Sequence, residues 1–236
     1  MTVGAILKRA HYQRRKLARR SQRLLRTAPR RLKKLKKRGR RGWARPAYTF
    51  TLTLVPTRSE LAELLNRRRL LGRGAEVGVR DGGFSRHLLA HWDGAQLVSI
   101  DPWEASPGDQ YVDISNVSQD AHDELYARTL ERLAPFGARS VVWRATSVRG
   151  SEWIPPRSLD FVYIDARHDY ESVKEDLEAW FDKVRSGGII AGHDYVDGVL
   201  AEGVFGVRSA VDEFFGARDL PVRTTRRGST WMVAAP

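Results

Sequence analysis

The stretch Leu159–Tyr195 reads LDFVYIDARHDYESVKEDLEAWFDKVRSGGIIAGHDY, and its reading decides the fold. One apolar run, LDFVYI, ends on Asp165; a second, GGIIAG, ends on His193 and Asp194. Between them Val173, Leu177, Trp180, Phe181 and Val184 recur at three- and four-residue steps, the period of one helix face. Gly187 and Gly188 stand where a helix C-cap glycine belongs. A strand–helix–strand unit of this kind makes its two strands parallel. In an open parallel sheet, ligands lie beyond the carboxyl ends of the strands. Asp165, His168, His193 and Asp194 all fall at that edge, so two carboxylates and two imidazoles are expected to converge.

Working outward, the N-terminal side repeats the pattern. Ser59 is an expected N-cap of a helix carrying Leu61, Leu64 and Leu65 on one face, with Gly72 and Gly74 ending it. AEVGVRDGGFSRHLLAHW then reads as a strand from Ala75 to Val79, a glycine turn, and a helix from Gly83 to Trp92. Gly78, Gly82 and Gly83 suit a sharp bend that lets a ligand reach main-chain N–H groups, although a tight turn alone also explains them. The spacing is E-x-G-x-x-x-G, not the G-x-G-x-x-G of dinucleotide dehydrogenases. Residues 96–100 form a second strand ending on Asp101, placed to accept both hydroxyls of a ribose or, as the plainer reading, to cap the turn at Pro102. A helix over 118–136 and a third strand, SVVWR at 140–144, lead to Ala145-Thr146-Ser147, a polar turn at the same edge. After Tyr195 come a helix at about 205–216 and two β-prone runs, PVRTT and STWMVA, separated by Gly228. Five β/α units followed by a strand pair predict an α/β, doubly wound, mostly parallel sheet of about seven strands with an antiparallel pair at one edge.

Charge divides the chain in two. Of its 236 residues, 1–45 hold 19 Lys and Arg and no acid, whereas 46–236 hold 22 basic against 28 acidic residues, a balance of −6. The net charge of +13 therefore belongs to the tail. Residues 5–41 carry a thin apolar stripe, broken by Pro29, and like charges at i, i+4 oppose a helix there. The tail is expected to be largely disordered, gaining helix on an anionic surface. A solvated tail, a nucleic-acid contact, an anionic membrane contact and an organelle transit peptide all remain open for it. Residues 46–58 read as a linker, and 59–236 as one domain. Cysteine is absent, which excludes disulfides and thiolate metal sites. No apolar run approaches the roughly 20 residues of a membrane span, and no secretory signal is expected. The expected location is the cytoplasm, with the tail able to hold the protein at a membrane surface.

These residues resemble the class I S-adenosylmethionine-dependent methyltransferases over roughly 59–236. Glu76, Gly78 and Gly82 look like their first motif, and Asp101 like their ribose-binding acid. FVYIDARHDYESVKEDLEAW…GGIIAGHDY is similar to the O-methyltransferase branch that includes the cephalosporin and macrolide-sugar hydroxyl methylases. The resemblance implies a Rossmann-like fold, S-adenosylmethionine as donor, and O-methylation of a small-molecule or glycan hydroxyl. In that branch a divalent cation is held by an acid after strand four and a pair after strand five, here Asp165, His193 and Asp194. The pair is commonly two acids or Asp-Asn; His193 makes this site softer, better suited to Mn²⁺, Fe²⁺ or Zn²⁺ than to Mg²⁺. His168 is the expected base; without a cation, His168 or His193 fills that role, or both brace the loops. The expected cofactor cradle is Glu76, Gly78, Gly82, Gly83, Ser85, Asp101, Trp103, Ser147 and Asp165, with Trp103 either on the adenine or packed in the core. Specificity is assigned to the 102–118 and 195–206 loops and to a partner subunit of a homo-oligomer. The slot after strand four reads Asp165-Ala166-Arg167-His168, not the Pro-Pro-aromatic tetrad of base-N-methylating relatives, which counts against a nucleic-acid methyltransferase that uses the tail. A non-catalytic binding module is the remaining alternative.

Overall fold

The computed structural model describes residues 57–107, 113–225 and 230–236. The expectations for the tail, for most of the linker and for Gly228 fall outside them. The chain divides into two units, Met1–Phe50 and Thr51–Pro236, and the described residues all belong to the second.

Seven strands form one sheet: β1 (Arg73–Val77), β2 (Gln96–Asp101), β3 (Ser140–Arg144), β4 (Leu159–Ile164), β5 (Val184–Gly192), β8 (Arg223–Thr224) and β9 (Trp231–Ala234). Their order is β3-β2-β1-β4-β5-β9-β8. The first five run parallel, and β9 enters antiparallel to β5 and pairs antiparallel with β8. This is the expected doubly wound, mostly parallel sheet with an antiparallel pair at its edge. A separate hairpin, β6 (Asp197–Val199) with β7 (Val204–Gly206), lies in a segment that reads as a loop in the sequence.

Among the described residues six α-helices accompany the sheet: α1 (Leu61–Arg67), α2 (Gly83–His91), α3 (Gln119–Leu133), α4 (Ser147–Glu152), α5 (Tyr170–Phe181) and α6 (Val207–Gly216). Alternation along the central strands sorts the core. Phe161 and Tyr163 of β4 pack with Leu61, Leu65, Leu88 and Trp92 on one face, and Val162 and Ile164 with Val173, Leu177, Trp180 and Phe215 on the other. Every residue of β4 is buried, as a strand covered on both sides requires. The crossover helix α5 is capped by Asp169, whose Oδ1 accepts the Ser172 N–H at 3.0 Å. Among the described residues no helix is long and apolar enough to cross a membrane.

Several boundaries differ from the sequence expectation, among them β1, expected over Ala75–Val79 and found at Arg73–Val77 because the turn begins at Gly78. The crossover helix ends at Phe181, so Val184 begins β5 opposite Leu159. Gly187 and Gly188 sit inside β5, where the pairing with β4 slips in register. Gly187 takes φ +77° and donates its N–H to the Ala235 carbonyl at 3.0 Å, so it serves a strand irregularity rather than a helix cap. Likewise α1 ends at Arg67, and Gly74 lies in β1, where a Cβ would meet the Phe161 ring at 2.0 Å.

The tightest backbone approach lies where β1 leaves the sheet beside β4. Gly78 has φ +85°, and a Cβ there would stand 2.0 Å from the Asp165 carbonyl oxygen. Gly78→Ala is expected to lose on the order of 3 kcal/mol of stability through combined overpacking and a left-handed φ. Urea denaturation followed by tryptophan fluorescence checks this.

Candidate active site

The carboxyl ends of β1, β2, β4 and β5 open into one cavity of about 480 Å³. On its β1/β2 side the chain turns through Gly78 and through Gly82, the left-handed N-cap of α2 with φ +74°. Asp101 ends β2 and braces this turn. Its Oδ2 accepts the N–H groups of Val79 at 2.8 Å and Arg80 at 2.9 Å, and its Oδ1 accepts that of Trp103 at 2.8 Å. Three of roughly four lone-pair positions on the carboxylate are thus taken by main chain.

Glu76 is buried at the cavity wall and accepts the Ser85 hydroxyl, which in turn accepts that of Ser99 at 2.9 Å. Burial pushes the Glu76 carboxyl up to about 8 despite the Ser85 bond. Gly78, Gly83, Asp101 and Trp103 line the same wall. Gly82 and Ser85 are not lining residues: Gly82 backs onto Thr129, and Ser85 lies behind Glu76. Ser147 lies away from the cavity, its hydroxyl accepting the Trp180 Nε1–H at 2.9 Å. The Trp103 ring is buried, donates Nε1–H to the Arg80 carbonyl at 2.7 Å and packs on Tyr126 at 4.8 Å.

On the β4/β5 side Asp165, His168 and Asp194 each direct a ligand-type atom into one group, all within 4.8 Å of one another. His168 Nε2 stands 3.4 Å from Asp194 Oδ2 and 3.9 Å from Asp165 Oδ1. That nitrogen is buried and makes no hydrogen bond. His193 is not in the group; its Nδ1 lies beside Asp194 Oδ1 at 2.9 Å. Asp194 itself has φ +49°, a left-handed conformation that aspartate tolerates better than most residues.

Two residues with no sequence signal complete the site. Arg58, from the linker, donates to Asp165 Oδ2 at 2.8 Å and lies 4.9 Å over the Phe84 ring. Asp113, from the 102–118 segment, faces His168 Nδ1 with its Oδ2 at 2.8 Å. Burial works against charge on His168, yet the bond to Asp113 and the negative charges of Asp113 and Asp165 outweigh it and push its pKa up to about 9. Asp113 is held below the usual carboxylate range: burial opposes this, but the bonds from His168 and Ser115 prevail.

A five-strand parallel array with an antiparallel strand inserted beside β5, and a glycine turn and strand-end acids at its rim, defines a class I methyltransferase fold. Residues 75–195 match the family model described as a methyltransferase domain, and the chain belongs to that family. It is similar to the O-methyltransferase TomG of Streptomyces achromogenes, involved in tomaymycin synthesis and solved in complex with S-adenosylmethionine. That match has 21% identity and a TM-score of 0.50, over 75% of this chain and 79% of that one. It also resembles a provisionally assigned rRNA methylase of Clostridium thermocellum, with 13% identity and a TM-score of 0.54, over 77% and 97% of the two chains. An uncharacterized protein of Sinorhizobium fredii, y4gI, is 25% identical over 134 residues, which are 57% of this chain. The chain spans only 14% of that relative's length.

The raised His168 pKa couples stability to pH. A group protonated more readily in the folded state stabilises it fully below the unfolded value near 6.5, and that contribution is lost as pH rises through about 9. Stability without added metal is expected to fall by roughly 3 kcal/mol between about pH 6.5 and about pH 9.5. His168→Ala should flatten that slope, as chemical denaturation across the pH range would read out.

Proposed function

We propose that the domain transfers the methyl group of S-adenosylmethionine to a hydroxyl of a small molecule or sugar, assisted by a divalent cation. One observation carries this reading: Asp165, His168 and Asp194 converge in the same cavity as the glycine turn, Glu76 and Asp101. Two oxygens and one imidazole nitrogen fit a cation such as Mn²⁺, Fe²⁺ or Zn²⁺. The buried His168 Nε2 that makes no hydrogen bond fits it too. Arg58 does not compete directly, because it uses Oδ2 of Asp165 while Oδ1 faces the histidine. Relative to the sequence reading, His168 moves from the base to the cation-holding set, and His193 becomes the candidate base.

The donor carries the reactive methyl on a sulfonium, and a bound cation would lower the pKa of a coordinated hydroxyl. The chain's own groups supply the rest. Asp101, with the one acceptor position its main-chain partners leave open, takes a ribose hydroxyl rather than the two that its position in the sequence suggests. Glu76, ionised again beside a cationic amino acid, holds the methionine end. Asp165 and Asp194 would hold the cation beside the acceptor oxygen, and the displacement needs that oxygen in line with the methyl carbon and sulfur. His193, oriented by Asp194, takes the hydroxyl proton as the O–C bond forms and the C–S bond breaks. The products are a methyl ether and S-adenosylhomocysteine. An alcohol acceptor needs the cation most, since its proton is held far more tightly than a phenol's, whose pKa is about 10.

A second reading, methylation of a nucleic acid held by the tail, draws on the 19 basic residues of 1–45. Steeply salt-dependent nucleic-acid binding, lost on deleting that tail, would show such tethering. We also propose, from the sequence alone, the division into a tail at 1–45, a linker at 46–58 and a domain at 59–236, together with an anionic membrane surface and a second copy of the chain as partners.

Calorimetry with S-adenosylmethionine tests the main reading. Asp101→Ala is expected to weaken the cofactor by tenfold or more. Asp194→Ala should abolish turnover while leaving cofactor affinity within a few-fold. A fully active Asp194→Ala enzyme would retire the cation scheme.

A further inference from the structure

We infer that Asp113 is a positioning residue, which with the β6–β7 hairpin fixes the His168 ring so that Nε2 faces Asp165 and Asp194. The inference rests on the cation-holding reading of those three side chains. Asp113 lies in the segment between β2 and α3, 55 residues from His168.

Its carboxylate is held rigidly. The side chain is only 3% exposed, with Oδ2 on His168 Nδ1 at 2.8 Å. Oδ1 accepts both the Ser115 N–H at 2.8 Å and the Ser115 hydroxyl at 2.7 Å. With both oxygens engaged, the carboxylate has no freedom to rotate away.

The backbone around it is also tied down. Asp113 pairs antiparallel with Gly203, and Ile114 donates its N–H to the Glu202 carbonyl at 2.9 Å. The segment is thereby stitched to the hairpin beside β7. Side chains alternate along a strand, so Phe205 and Gly203 face one side, and Asp113, opposite Gly203, faces it too. That side meets His168. The Phe205 ring stacks on the imidazole at 4.6 Å and 16°, and Gly206 donates its N–H to the His168 carbonyl at 2.8 Å.

The imidazole is therefore held on one edge by Asp113, on one face by Phe205, and at its backbone by Gly206. The Nε2 edge is what remains, and it points at Asp194 and Asp165. A carboxylate on Nδ1–H keeps the proton there and leaves Nε2 as the donor atom toward a cation, the arrangement in which outer partners orient ligating histidines. The hairpin thus does more than border the cavity: it carries half of the clamp.

The test uses the full chain with Mn²⁺ as probe, its free concentration read by electron paramagnetic resonance. Asp113→Ala is expected to weaken Mn²⁺ binding roughly 10- to 100-fold, with S-adenosylmethionine affinity unchanged within about two-fold as the control for folding. Asp113→Asn, which keeps a carbonyl for Nδ1–H, should recover part of the loss and replaces Asp113→Ala if that variant fails to fold. In a His168→Ala background the same substitution should have no further effect, because Asp113 acts through that ring. An unchanged Mn²⁺ affinity, or an equal loss with and without His168, would overturn the inference. A second readout is independent of metal: the His168 Nδ1 proton, followed by ¹⁵N-edited NMR, should be protected from exchange in the wild type and exposed in Asp113→Ala. If wild-type protein binds no Mn²⁺, the cation reading falls, and this signal alone decides whether Asp113 fixes the ring; an unprotected proton in the wild type would refute it.

Discussion

A row of main-chain hydrogen bonds across the strand ends holds the site together. Gly78 donates to the Ile100 carbonyl at 2.9 Å, Asp165 to Val77 at 2.7 Å, and His193 to Ile164 at 3.0 Å. Each bond carries the ladder one residue past the end of a strand. The row therefore fixes the glycine turn against Asp101, Asp165 against the glycine turn, and the His193-Asp194 pair against Asp165. It also explains why Gly78 admits no side chain: the bond that sets Asp165 brings its carbonyl onto the glycine. Sheet order does the rest, because β1 and β4 are neighbours whose connections leave in opposite directions, which opens a crevice there.

The crevice is acidic within a chain of positive overall charge. Glu76, Asp101, Asp113, Asp165 and Asp194 line it, and the cationic groups meeting the β4/β5 acids include Arg58 and His168. Two large pKa displacements accompany it, with different causes. Burial leaves Glu76 reluctant to ionise, and the surrounding carboxylates make His168 reluctant to lose its proton. A ligand bringing positive charge would offset the acids and, at Nε2, take the place of the His168 proton, so the same electrostatics favour a sulfonium nucleotide with an amino group and a divalent cation.

Most of the fold was legible because β4 reads as an unbroken apolar run and α5 as a regular apolar stripe, two patterns of different period. The misplaced end of α5 has a physical cause: Val184 continues the helical spacing, yet its side chain serves β5 equally well. The irregular start of β5 hides behind two glycines that look like a cap. Asp165, Asp194 and Asp101 were legible because a strand-end acid has a fixed position once the strand is known. Asp113 and Arg58 were not, since each reaches the site through tertiary packing of a segment without periodicity, 55 and 107 residues from its partner. Ser147 shows the converse: it sits at the correct edge in sequence, but its hydroxyl turns to Trp180. The β6–β7 hairpin is too short and glycine-rich to show alternation, and the clamp on His168 depends on it.

Crystals grown with S-adenosylhomocysteine and Mn²⁺, measured at the manganese absorption edge, test the central claim most directly. An anomalous peak within about 2.3 Å of Asp165, Asp194 and His168 Nε2, with the ribose on Asp101, is the predicted result. A nucleoside bound elsewhere, or a peak coordinated without both aspartates, would contradict it.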